Sequence, residues 1–230
     1  MIKDNYEYIM NSIKNSCEIS NRDINEITVV GVTKTISVER IQELVNLGIK
    51  NLGENKVQEF LEKHEKIMGD VKWHFIGHLQ TNKVKFIVGK VDLIHSVDSV
   101  KLMEKINSEA KKINFIQKIL IEVNVAEEES KFGINAEDLR SLLEKAEELS
   151  NIRVCGLMTI APYVENPLEN KEIFISLRKL AIDKLAKNSD NMDRMVLSMG
   201  MSNDYNVAIE SGATLVRIGR SFFGERIKLK

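Results

Sequence analysis

The chain has 230 residues and only two cysteines, Cys17 and Cys155, set far apart. They form no metal-type or redox-type pair, and reduced thiols in a cytosolic protein are expected. Proline is as scarce: Pro162 and Pro167 are the only two, close together in one loop. No linker, low-complexity tract or repeat interrupts the rest, so one domain spanning residues 1–230 is expected. An excess of charge is also missing. The 33 basic and 34 acidic groups leave a net charge of −1, which argues against a nucleic-acid partner, whose modules carry clustered basic excess. A small anionic ligand held by a few donors stays compatible with that balance. Long apolar runs are absent too. The opening MIKDNYEYIMNSIKNSCEIS is too polar for a signal segment or a membrane span, and a cytoplasmic location is expected.

What is present is alternation. Ile2, Tyr6, Ile9, Met10 and Ile13 recur at helical spacing, which predicts an amphipathic first helix. Eight β-rich runs follow: Ile27–Thr33, Lys50–Gly53, Lys72–Ile76, Val91–Ser96, Ile116–Val125, Arg153–Thr159, Arg194–Ser198 and Thr214–Ile218. Helical patterns separate most of them, at Val38–Leu47, Val57–Met68, Val100–Lys112, Ala136–Leu149, Asn170–Lys187 and Asn203–Ser211. Several open on cap residues: Ser37, Asp98 or Ser99, and Asn135. Eight β-α units after a leading helix predict an α/β protein, a single (β/α)8 TIM-type barrel with an extra N-terminal helix. A doubly wound open sheet is the alternative. The charge runs Glu127–Glu129 and Glu144–Glu148 read as a loop and a solvated helix face.

The run TVVGVTKT places Lys34 at the end of an otherwise apolar strand, on the face shared by Val30 and Val32. If those valines line a barrel, Lys34 projects into its mouth, where active sites of this fold lie. Strand position alone makes it a surface lysine. A lysine amine becomes a Schiff-base former when burial or a cationic neighbour lowers its pKa.

Two later segments bear on that choice. Ser198-Met199-Gly200-Met201-Ser202-Asn203-Asp204 follows the seventh strand, and Arg217-Ile218-Gly219-Arg220-Ser221 closes the eighth. Loops after strands seven and eight often build a phosphate site in barrels of this class. Glycine admits close approach of the backbone, and free amides at a helix start suit an anion. Ser202 can add a hydroxyl, and Gly219 and Arg220 backbone amides. Arg217 reads either as a salt-bridged strand end or as a donor to a cofactor ring nitrogen. Facing a permanent charge, that ring is a weaker electron sink than one facing an aspartate.

The motifs GVTKT, NLGENKVQE, WHFIGHLQTNK, IHSVDS, EESKFGI, GLMTIAP, LSMGMSNDYNVAIESGAT and VRIGRSFFG occur in this order between Ile27 and Gly224. Together they resemble the YggS-type pyridoxal phosphate homeostasis proteins, relatives of the alanine racemase barrel domain. The resemblance implies a barrel carrying pyridoxal 5'-phosphate (PLP), a role in controlling its cellular supply, and no established catalytic reaction. Carried across, the Schiff-base lysine falls on Lys34 and the phosphate serine on Ser202, with amides from Gly219 and Arg220. The ring-nitrogen arginine falls on Arg217. Asn55, His74, Ile76 and Met158 match positions expected near the ring or the barrel mouth. Ser221-Phe222 departs from the small residue and isoleucine common in relatives, a tolerable change if the cup's backbone contacts precede it.

His74 and His78 lie four apart across a strand end rather than on a helix, a poor zinc pair, and no metal is expected. His74 reads as a polar residue at the barrel mouth. Glu122 and Asn124 give the fifth strand one polar face, either a lined pocket or a hydrogen-bonded core layer. Trp73, Phe222 and Phe223 read as packing, and Cys155 as a small buried hydrophobe. A compact PLP-dependent racemase is the alternative function. It needs a second acid/base, which racemases draw from an additional domain not expected here; Tyr163 is the one substitute considered. A sugar-phosphate barrel enzyme is a third reading. Apo-PLP enzymes are the expected recipients, and a monomer is expected because nothing resembles an obligate apolar interface.

Overall fold

In the computed structural model, which describes residues 1–126, 132–185 and 195–224, eight parallel strands close into a barrel in sequence order. They are β1 (Thr28–Val32), β2 (Asn51–Glu54), β3 (Lys72–Phe75), β4 (Leu93–Val97), β5 (Gln117–Glu122), β6 (Ile152–Met158), β7 (Val196–Met201) and β8 (Leu215–Ile218). Every strand foreseen in the sequence is there. β1 closes on β8 with Val30 opposite Arg217, which rules out the open sheet. Around them run α1 (Ile2–Ile19), α2 (Val38–Asn46), α3 (Val57–Lys63), α4 (Val100–Lys112), α5 (Leu139–Glu147), α6 (Lys171–Leu185), α7 (Tyr205–Glu210) and α8 (Arg220–Phe223). A 3-10 helix, Thr81–Phe86, takes the outer position between β3 and β4.

The strands divide two apolar regions. Val30, Leu93, Leu120, Met158 and Leu215 meet inside the barrel. A larger core lies between strands and helices, and it includes Trp73, which packs edge-on to Phe60, along with Phe222 and Phe223. Since side chains alternate along a strand, Val30 in the interior carries Val32 inward as well. α1 buries Ile2, Ile9, Ile13 and Cys17, with Tyr6 and Met10 packed alongside. Its Asn5 donates to the Phe222 carbonyl, and Ser12 and Ser16 donate to Asn206, so α1 backs the helices that follow β7 and β8. Ser99 caps α4 as foreseen, accepting from the Leu102 amide. α5 turns Leu139 and Leu142 inward and Glu144 outward.

Some boundaries differ from expectation. α3 stops at Lys63, five residues short of the predicted Met68, because Lys63 turns into a buried ion cluster instead of continuing an exposed face. Cys155 is partly exposed and not buried. The register between β5 and β6 shifts at Ile119/Leu120, and Gly156 (φ +155°) runs so close to β7 that a Cβ would sit 1.9 Å from the Val196 carbonyl oxygen. The resulting bulge turns Cys155 to the edge of a cavity. Glu127–Glu129, the first four residues of EESKFGI, Arg194 of the seventh predicted strand and the last two residues of the predicted Asn170–Lys187 helix lie outside the described residues.

Candidate functional site

Lys34 lies two residues beyond the end of β1, in a turn, and not on the strand itself. The chain turns here, with the Ile36 amide donating to the Thr33 carbonyl at 3.0 Å and the Thr33 hydroxyl donating to Glu54 at 2.6 Å. Glu54 is fully buried, and its carboxylate also accepts from Lys63 at 2.7 Å. Lys63 donates further to the Thr33 carbonyl at 2.8 Å and to Glu59 at 2.9 Å. Glu59 in turn accepts from the Thr35 amide at 2.7 Å. The cluster thus grips the residues on both sides of Lys34. Thr35 is held at φ +65°, a left-handed conformation that a β-branched residue adopts only under constraint.

Across the mouth stand the two loops at the ends of β7 and β8. Gly200 (φ +88°) lets β7 turn, since a Cβ there would meet Ala208 Cβ at 2.5 Å. Asp204 holds the turn, accepting from the Met201 amide at 2.7 Å and from Asn170 at 2.8 Å. The turn presents Ser202, whose Oγ accepts from the amides of Gly219 and Ser221, each at 3.3 Å. The amides aimed at the serine are therefore those of Gly219 and Ser221, and Arg220 contributes none to that point. The cause is local: Gly219 caps α8, and the chain turns into the helix at Arg220. The Ser221 departure thus falls inside the cup, but only its backbone amide faces Ser202.

Below the cup, Arg217 is buried on β8. It donates to Ser198 Oγ at 2.5 Å and to the Thr159 carbonyl at 2.9 Å. Burial lowers it to about 10, against the pull of Glu122 and Asp204, so it stays charged at neutral pH. Glu122, at the end of β5 and opposite Met158, is also buried. Burial, with help from Asp98, raises its carboxyl to about 7 in spite of Arg217. Met158 closes the floor within the interior cluster, and Ile76 leans over Gly53 at the top of β3.

His74 lies lower than the mouth. Its Nε2 faces Asn51 Oδ1 at 3.1 Å and its Nδ1 faces His95 Nε2 at 2.9 Å, within the barrel. It also lines a cavity of about 690 Å³ at the opposite end, with Lys72, Lys118 and Cys155. The sequence reading had put it at the barrel mouth; its level within the barrel is set by register with β2, opposite Gly53, which pattern does not carry. His78 is a loop residue beside Asp98, stacked on Phe132. Among the described residues no group of three or more His, Cys, Asp or Glu is placed to hold a metal ion.

The mouth fits a phosphorylated ring. The Oδ1 of Asn55 is buried there with no hydrogen-bond partner. Gly219 packs where a Cβ would stand 3.1 Å from Val32 Cβ, so a side chain there would press on β1. Two amides converge on the Ser202 hydroxyl, and a guanidinium lies on the strand beneath it. Sequence reading had missed Glu54, Glu59, Lys63, His95 and Ser198. The available signal was polar residues inside otherwise apolar runs, in LGEN, IHSV and VLSM.

An eight-strand barrel with a serine-amide cup over a buried arginine defines a class, and comparison agrees. Residues 10–227 match the family of the alanine racemase N-terminal domain. A protein of Aquifex aeolicus named pyridoxal phosphate homeostasis protein is 49% identical over 219 residues, covering 95% of each chain. PipY of Synechococcus elongatus, solved with PLP bound, superposes with a TM-score of 0.80 at 30% identity, covering 93% of this chain and 100% of that one. A structure from Bifidobacterium adolescentis described as an unknown protein reaches a TM-score of 0.90 at 32% identity, over 96% and 94% of the two chains. The chain belongs to the alanine racemase N-terminal domain family, in the branch of the pyridoxal phosphate homeostasis proteins.

Proposed function

We propose that this chain binds PLP at the open end of its barrel and serves in intracellular PLP homeostasis, holding the cofactor on Lys34 without turnover. The observation that carries the reading is the convergence of Ser202 Oγ with the Gly219 and Ser221 amides above Arg217. The relatives' shared name and the PLP-bound PipY structure support the choice of ligand. When bound, PLP supplies an aldehyde with which a lysine amine condenses, releasing water.

In this reading Ser202, Gly219, Ser221 and the start of α8 hold the phosphate. Arg217 donates to the ring nitrogen, and Asn55, Ile76 and Met158 bound the ring. The Arg220 amide at the start of α8 adjoins the phosphate, and His74 acts from below, outside direct contact. Lys34 is kept in place by its clamped neighbours Thr33 and Thr35. The whole described barrel then works as one cofactor-binding unit in the cytoplasm, handing PLP to apo-enzymes as a monomer. One observation favours the racemase alternative: Glu122, near neutral in its proton affinity, is a proton acceptor at the floor of the mouth. Tyr163 is not suited to that part, being 75% exposed.

The test is a borohydride-trapped adduct of purified protein with PLP, located by peptide mapping. Wild type should carry the label on Lys34, and Lys34→Ala should carry none. Ser202→Ala should bind PLP about tenfold more weakly while still forming the adduct. A full label in Lys34→Ala would remove the lysine assignment. Racemisation of an amino acid, lost with Lys34, would replace the homeostasis reading with the racemase one.

A further inference from the structure

Beneath the mouth the barrel is crossed by a line of polar side chains that the binding site does not by itself require. Arg217 meets Ser198, Ser198 meets His95 Nδ1 at 2.9 Å, His95 Nε2 meets His74 Nδ1 at 2.9 Å, and His74 Nε2 meets Asn51 at 3.1 Å. The line runs from β8 through β7, β4 and β3 to β2, and both imidazoles and Ser198 are buried.

Its protons are assigned by elimination. Arginine has donors only, so the Ser198 oxygen accepts from Arg217. At the far end the amide oxygen of Asn51 can only accept, which puts the His74 hydrogen on Nε2 and, with both rings neutral, makes Ser198 the donor to His95. His95 Nδ1 is then an acceptor, and its hydrogen sits on Nε2, aimed at His74 Nδ1. His74 in turn carries its hydrogen on Nε2, where the amide oxygen of Asn51 receives it. Each imidazole is neutral, each makes one donation and one acceptance, and every arrow points away from Arg217. A second proton on either ring would set two hydrogens against each other. The charged groups facing the line agree. Burial first, then Lys72 and Lys118, lowers His74 to about 3, and burial, then His74 and Arg217, lowers His95 well below its usual range. Glu122 and Asp204 face Arg217 from the other side.

Resting on the PLP reading above, we propose that His95, braced between His74 and Ser198, is a positioning residue for the ring subsite. Through Ser198 it holds the Arg217 guanidinium in one place, as a fixed donor that accepts only an unprotonated ring nitrogen. His74 and Asn51 complete the brace from the far side of the barrel. The ligand class selected is a phosphorylated pyridine whose nitrogen is free to accept.

The experiment compares affinities for PLP and for its 1-deaza analogue, in which CH replaces the ring nitrogen. Four full chains are measured: wild type, Ser198→Ala, Ser198→Thr and His95→Phe. Wild type should prefer PLP by about tenfold, the worth of a charge-assisted hydrogen bond. Ser198→Ala and His95→Phe should bring the ratio close to one, and Ser198→Thr, which keeps the hydroxyl, should restore it. A merely structural role would weaken both ligands equally and leave the ratio unchanged, and that outcome overturns the proposal. So does a wild type that binds both ligands equally. If His95→Phe fails to fold, the Ser198 pair decides alone. A wild type that takes up neither ligand would instead overturn the PLP reading itself.

Discussion

Glu122 shows how one side chain links the site to stability. Its carboxyl is raised to about 7 from an ordinary value of 4.5, first by burial and then by Asp98. The folded state therefore binds this proton more tightly than the unfolded chain does. Such a group favours folding most below about pH 4.5, and the benefit is lost as pH rises through about 7. Glu122→Gln cannot ionise, so the variant should gain on wild type between about pH 5 and pH 8, by no more than about 3 kcal/mol. Chemical denaturation across that range checks it, and parallel profiles would mean that another group sets the slope. Residues of this kind were only partly legible in the sequence. Lys34, Ser202 and Arg217 stand out because they lie at or just beyond strand ends, the last two beside Gly200 and Gly219. Glu122 was visible as a polar step on an apolar strand. Glu54, His95 and Ser198 offered the same polar step, but their roles, like that of Lys63, lie in partners 9 to 103 positions away and were not legible.

Among the elements, α1 has the clearest energetic role. Its periodicity was plain from the first thirteen residues, and the buried face is the one the spacing indicates. What the pattern did not carry was its docking partner. Ile13 is fully buried on that face, so Ile13→Ala should cost about 2–4 kcal/mol through lost burial and the cavity left behind. Glu7→Ala, on the exposed face, should change stability by less than about 0.5 kcal/mol. Urea unfolding of the two variants separates them. The boundaries that sequence reading misplaced share a cause: α3 ends where a buried lysine finds carboxylates, and Cys155 meets the cavity at the end of the barrel where the β5–β6 register shifts. Tertiary contacts decide both, and local pattern contains neither.

For the whole molecule, strand alternation was enough to foresee the closed barrel, because eight β-α units have few ways to bury both sheet faces. That closure ties ligand binding to global stability. A ligand that binds only the folded barrel adds about 2.7 kcal/mol at a hundred times its Kd, or about 5–10 °C for a chain of this size. PLP should raise the thermal midpoint of wild type by that amount, with Lys34→Ala losing most of the shift. Differential scanning fluorimetry with and without PLP reads it directly; equal shifts in both proteins would mean that Lys34 adds nothing to affinity.

Helix α1 is fastened to residues made much later: Asn5 to Phe222, 217 positions away, and Ser12 to Asn206, while Arg22 just past its end donates to the Ile209 and Ala213 carbonyls. During synthesis α1 can form early but has little beyond α2 to rest on until β7, α7 and β8 have emerged. Its apolar face is therefore exposed for most of translation, and the phosphate cup, assembled from the same late segments, is the last part of the barrel to exist. A nascent chain has no place to capture its ligand prematurely; loading follows completion of the fold.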